Sequence, residues 1–196
     1  MLTCRLRGSR LQSAWAATRE HSAMRYTATA RWLHWVTAAA LLVVAGLGLW
    51  LGWAPPQEEA LKLRVYNIHE SIGLTLLPVT LLRLAWRWRH PPPPGPAQPR
   101  ALEWAAGLNH AALYALLLAM PVVGLLATNA WGFPLRWFGL LPIPSPIGTD
   151  VALAPALTAL HGWMALALGL LVLAHAGAAL LWHGLLRRDG VLRRML

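Results

Sequence analysis

Residues 156–182 read ALTALHGWMALALGLLVLAHAGAALLW, an apolar run whose only ionisable side chains are His161 and His175. It is longer than the roughly 20 residues an α-helix needs to cross a hydrocarbon core. The two histidines stand fourteen residues apart. At about 1.5 Å and 100° per residue, that spacing gives roughly 21 Å of rise and returns within about 40° of the starting direction. One face of one helix therefore presents two imidazoles at two depths.

Three earlier stretches, 32–53, 65–86 and 104–128, are also long and apolar enough to span. Composition agrees: 57% of residues are apolar, 12% are charged and mean hydropathy is +0.48, against about 25% charged in an average soluble domain. The expected fold class is all-α integral membrane, a transmembrane four-helix bundle over residues 24–196. Trp32, Trp53, Trp86, Trp104 and Trp182 fall at the ends of these spans, where an indole sits well between water and lipid. They read as anchors.

The connections are short. Residues 54–64 hold Pro55-Pro56 and Glu58-Glu59, and 90–100 hold a run of four prolines, which stays stiff and extended. The longest, 129–155, combines Pro and Gly with Trp131, Phe133, Trp137 and Phe138; it is expected to lie on the outer membrane surface and to cap a cofactor there. Residues 1–23 are basic and lack the apolar core of a secretory signal. They read as a disordered extension, with Met24 an alternative start.

The net charge of +10 does not call for a nucleic-acid partner, because the cations are sorted by side. With four spans both termini share a face, and that face collects all but three of the 17 Lys and Arg, the exceptions being Lys62, Arg64 and Arg136. The excess of cations on the inner side of membrane proteins then puts both termini in the cytoplasm.

This topology assigns depths to the histidines. His34 opens the first span and lies at the cytoplasmic level. His69 opens the second span on the outer side. The fourth span starts outside, so His161 matches His69 and His175 matches His34. Each of the four finds a partner, and ionisable groups within spans are rare and usually functional. The bland alternative, a buried imidazole bonded to a backbone carbonyl, suits one histidine better than four. Two imidazoles at one depth on facing helices are what a six-coordinate haem iron requires. Single Cys4 leaves histidines as the available iron ligands, and a c-type attachment motif is absent; the expected cofactors are two haems with bis-histidine iron, ligated by His34 with His175 and by His69 with His161.

Other residues are weighed beside these. Gly73 follows His69 by one turn, and Gly162, Gly169 and Gly177 punctuate the fourth span; small residues there admit a flat macrocycle or simply let helices pack. Gly48 and Gly52 on the first span read as packing glycines. Pro78 and Pro121 kink their spans, and Met120 and Met164 fill core space. His110 either bonds a propionate or a quinone, or packs. His183 reads as an interfacial anchor. Arg25, Arg31 and Arg83 are placed to pair with cytoplasmic propionates or to snorkel to lipid phosphate, and Arg31, one turn before His34, stands out among them.

The stretches Arg31-Trp32-Leu33-His34-Trp35, His69-Glu-Ser-Ile-Gly73, Asn109-His110, Met120-Pro121-Val-Val-Gly124 and His161 through His175 resemble the bacterial cytochrome b561 family, from about Tyr26 to the C-terminus. Related cytochrome b subunits of membrane hydrogenases and dehydrogenases share the four-histidine spacing. The resemblance implies a diheme b-type cytochrome of the bacterial inner membrane, with His34, His69, His161 and His175 as iron ligands; Arg31 and Gly73, each one turn from a ligand, are expected to be cofactor-binding from their positions. It implies one-electron relay and exchange with ubiquinone or another membrane quinone, as an oxidoreductase or electron-transfer protein; oxidation of superoxide to reduce ubiquinone is associated with the family. The alternative role is an anchor subunit carrying electrons between a partner dehydrogenase or hydrogenase and quinone. Where the family often has paired histidines after the last ligand, this chain has Trp182-His183.

Overall fold

The structure, a computed structural model, describes residues 25–196; the expected N-terminal extension, with Cys4 and His21, lies outside the described residues. Four long helices follow: α1 (Ala28–Trp53), α2 (Glu59–Arg89), α3 (Arg100–Ala130) and α4 (Ala154–Gly177), the last continuing as a π-helix over Ala178–Leu186. Each is long and apolar enough to cross a membrane. The helices run past the ends of the apolar stretches because a helix end in the interfacial layer can carry charge. The first turn of α2 shows this, with Lys62 Nζ 3.5 Å from the Glu59 carboxylate.

Thr27 caps α1, its hydroxyl accepting from the Ala30 N–H at 3.2 Å. Pro99 precedes α3. The prolines within α2 and α3, Pro78 and Pro121, leave both helices continuous. The closest helix packing joins neighbours in sequence, α1 on α2, α2 on α3 and α3 on α4. Across the bundle α4 meets α1 and α2 through histidine rings.

Few large side chains are buried. Leu33, Val44, Val65, Leu76, Leu117 and Leu168 are, while Leu42, Leu108 and Leu173 are about 70% exposed on the outside of the bundle. An apolar exterior on a four-helix bundle suits lipid as the surrounding solvent. Trp32, Trp53 and Trp104 are exposed at helix ends. Trp86 differs from a free anchor: its Nε1–H donates to Thr27 Oγ1 at 2.8 Å and its ring stacks on His90 at 4.0 Å, tying α2 to the start of α1.

The bundle has two distinct ends. At one, both described chain ends come together: Tyr26 N–H donates to the Arg194 carbonyl, Trp35 Nε1–H donates to the Met195 carbonyl at 2.8 Å, and Arg25 and Arg31 donate to Leu196. At the other, the α3–α4 connection forms a two-stranded antiparallel hairpin, β1 (Arg136–Trp137) and β2 (Leu141–Pro142). The hairpin is pinned to one face of α2 by residues four apart. Asn67 Nδ2 donates to the Arg136 carbonyl at 2.6 Å, Ser71 Oγ accepts from the Phe138 N–H at 2.7 Å, and Thr75 Oγ1 accepts from Trp137 Nε1 at 3.0 Å.

Ser71 is fully buried. A Ser71→Ala variant leaves the Phe138 N–H without its partner, a cost of about 1–3 kcal/mol. The expected result is faster proteolytic nicking between residues 131 and 153, with helix content by circular dichroism unchanged.

Candidate functional site

The sequence places four histidines in spans, and the structure groups them in two pairs. The His34 and His175 ring centres are 6.2 Å apart at the terminus end of the bundle. The His69 and His161 ring centres are also 6.2 Å apart, at the hairpin end. An imidazole nitrogen binds a metal at about 2 Å and the ring centre lies about 1 Å beyond it, so two rings sharing one ion stand roughly 6 Å apart. Both pairs have that separation. Among the described residues no three or more His, Cys, Asp or Glu side chains gather as a metal site. Two nitrogens per site suit a group that brings its own equatorial donors, as a haem does.

The surroundings of each ring differ. His69 Nδ1 lies 3.0 Å from the Val44 carbonyl oxygen. A carbonyl only accepts, so Nδ1 carries the proton and Nε2 keeps its lone pair, the tautomer a metal-binding histidine needs. The neighbouring Glu70 accepts a 2.7 Å hydrogen bond from Thr128 Oγ1, which joins α2 to α3 beside the pair. His161 Nδ1 is buried with no hydrogen-bond partner of normal geometry.

At the terminus end, Arg83 Nη2 lies 2.8 Å from His34 Nδ1. A guanidinium has only donors, so here Nδ1 accepts and the proton sits on Nε2. Arg83 also lies over the Tyr114 ring at 5.5 Å. His110 sets its ring edge to face against His175 at 5.2 Å. A shallow cleft opens beside Arg83, lined also by Tyr26, Trp86, Arg87, His90 and Tyr114.

The remaining candidates fall as follows. Arg31 donates to Leu196 through Nη1, and its Nε is buried without a partner. Gly73 touches only Val44, its ideal Cβ position lying 3.8 Å from a Val44 methyl, and Gly162, Gly169 and Gly177 have nothing within 4 Å. Gly48, read from sequence as a packing glycine, instead lies against His69: a Cβ there would stand 2.9 Å from the ring. Gly124 lies against His161 in the same way, at 3.2 Å. His183, read as an anchor, pairs with Asp189 at 2.7 Å.

Sequence reasoning passed over Gly48 and Gly124 as neighbours of histidines, although a signal for them exists. The fourteen-residue stride of α4 recurs on every helix, linking His34 to Gly48, His69 to Arg83, His110 to Gly124 and His161 to His175. One tier thus gathers His34, Arg83, His110 and His175, and the other Gly48, His69, Gly124 and His161.

The chain is similar to known proteins over most of its length. Residues 25–196 match the family described as prokaryotic cytochrome b561. Cytochrome b561 homolog 2 of Escherichia coli is 33% identical over 180 residues, covering 88% of this chain and 91% of that protein. A probable superoxide oxidase of Yersinia pestis, CybB, is 30% identical over 166 residues, 83% of this chain and 91% of that protein. Cytochrome b561 homolog 1 of Escherichia coli is 29% identical over 175 residues, 88% and 97% respectively. With four membrane-spanning helices and these relatives, the chain belongs to the prokaryotic cytochrome b561 family, multi-pass membrane electron-transfer proteins that carry b-type haem.

Proposed function

We propose that the protein holds two haems, one between His34 and His175 and one between His69 and His161, and relays single electrons between them across the bacterial inner membrane. The observation that carries this is the shared 6.2 Å separation of the two ring pairs. Haem held there would supply a one-electron iron couple, tuned by the histidines that hold it, by burial and by nearby charge. With the termini cytoplasmic, as the arginine distribution favours, the terminus-side tier faces the cytoplasm and the hairpin-side tier faces outward.

The chain's own residues divide the work. Val44 keeps the His69 proton on Nδ1, leaving Nε2 ready to bind. His34 needs the opposite change: its proton must move to Nδ1, and Arg83 must turn from that atom, which frees the guanidinium for a carboxylate such as a propionate. Each pair would hold one haem through both of its imidazoles.

Superoxide is the proposed outer donor and a membrane quinone the acceptor, on the strength of the probable superoxide oxidase relative. Two superoxide ions give two electrons and two molecules of oxygen, and with two protons these electrons convert one quinone to quinol. Arg64, Lys62 and Arg136 are the outer-side cations in this topology and attract the anion. Neutralising all three is expected to slow superoxide oxidation several-fold at low salt, with the difference fading as ionic strength screens the field. Equal rates at low salt remove the steering role.

Haem quantitation tests the central reading. Purified protein is expected to contain two haems per chain, with a reduced-minus-oxidised difference spectrum of low-spin b-type haem, and to reduce quinone when supplied with superoxide. Colourless protein, or one haem per chain, overturns it.

A further inference from the structure

On the hairpin side, Gly48 and Gly124 hold the places in the stride that Arg83 and His110 hold on the terminus side. All four lie against a histidine of the tier: Gly48 on His69, Gly124 on His161, Arg83 on His34 and His110 on His175. One tier thus seats its imidazoles on bare helix backbone, the other on polar side chains. We propose that Gly48 and Gly124 are positioning residues which set the ring orientation of His69 and His161, and that a side chain at either place displaces the outer iron site alone. This rests on the two-haem reading.

The contact is specific. Gly46 and Gly52 lie on the same helix as Gly48, and Gly162, Gly169 and Gly177 lie on α4, yet none has a foreign atom within 4 Å of its ideal Cβ. General helix packing would bring the neighbouring helix against such glycines. What approaches Gly48 and Gly124 is an imidazole. Glycine in a helix interior weakens the helix relative to alanine, so its presence here has to be offset by something the space permits.

The two seats differ in stringency. At Gly48 the added carbon would lie 2.9 Å from His69 Cε1 and 3.4 Å from Nδ1. Real Cβ atoms do not come that close, and His69 cannot simply retreat, because its Nδ1 is held by the carbonyl of Val44, which lies one turn before Gly48 on α1. The ring must rotate or give up that hydrogen bond. At Gly124 the carbon would lie 3.2 Å from His161 Cε1, so a displacement of a few tenths of an ångström accommodates it.

The test compares Gly48→Ala, Gly124→Ala and the control Gly52→Ala as purified, haem-loaded proteins. Each is read by haem content, low-temperature EPR of the two low-spin ferric signals, and potentiometric titration. EPR reports the mutual orientation of the axial imidazole planes, which a loss of helix stability alone does not move.

The expected result for Gly48→Ala is a shifted or lost signal from one haem, with content falling from two toward one per chain and the other signal unchanged. Gly124→Ala is expected to shift the same signal by less and to keep both haems, and Gly52→Ala to match the parent. If Gly48→Ala does not accumulate as folded protein, Gly124→Ala decides alone. Parent-like EPR and potentials in both variants, or equal shifts in both haems, overturn the seating role while leaving the two-haem reading intact. A parent protein without two haems removes both.

Discussion

A His161→Ala protein is expected to lose the haem of the hairpin-side tier and to keep the other, so that one of two low-spin signals disappears. The reason is local. His161 has one facing imidazole, His69, at 6.2 Å between ring centres, and no third protein donor of the metal-binding types gathers there among the described residues. An iron left with a single axial histidine becomes five-coordinate and high-spin or loses its haem, because binding energy and site geometry are linked. His69→Ala is expected to give the same phenotype.

Substitution of His34 or His175 is expected to remove the other signal. This pattern, two variants per haem with no crossover, is the strongest expected outcome for the protein. Heme content and EPR of the four single variants check it. A variant of His34 that abolished the same signal as His69→Ala would require a different pairing.

The second large effect concerns Arg83. Its guanidinium lies 2.8 Å from His34 Nδ1 and over the Tyr114 ring, inside a helix long enough to span the membrane. Turned from Nδ1 toward a propionate, as haem binding at His34 would require, the guanidinium would still keep its charge beside the site, and a nearby positive charge favours the reduced, less positive iron. At roughly 8 Å and an effective dielectric of about 20, a unit charge is worth about 2 kcal/mol, or on the order of 90 mV for one electron.

Arg83→Gln is therefore expected to lower the potential of the terminus-side haem by tens of millivolts and to leave the hairpin-side haem near its parent value. Arg83→Lys is expected to restore most of the difference, since it keeps the charge while losing the planar fork. Potentiometric titration followed by optical difference spectra separates the outcomes. Equal movement of both potentials would show that the substitution had disturbed the bundle rather than one site.

Much of this architecture is legible in the chain. Four apolar runs of spanning length become four helices, because a helix in lipid must satisfy its own backbone and its length is dictated by the hydrocarbon thickness. The level of each histidine follows from its distance to a span end, and that is why His34 and His175 share one end while His69 and His161 share the other. Less legible are the contacts that depend on how closely two helices approach. Gly73 carries the motif position next to His69, yet it meets only a Val44 methyl. Arg31, one turn from His34, turns instead to Leu196.

Depth along the membrane normal is set by counting residues on one helix, so the sequence by itself determined the spans and the levels of His34, His69, His161 and His175. Lateral placement depends on the rotation and separation of different helices, quantities that no single span encodes. Only the tertiary structure decided that Gly48 and Gly124 lie under histidine rings, that Arg83 points at His34, and that Asn67, Ser71 and Thr75 hold the hairpin. The physical reason is that a bundle's interior contacts are set by packing between surfaces whose relative phase is fixed only when all four helices are in place.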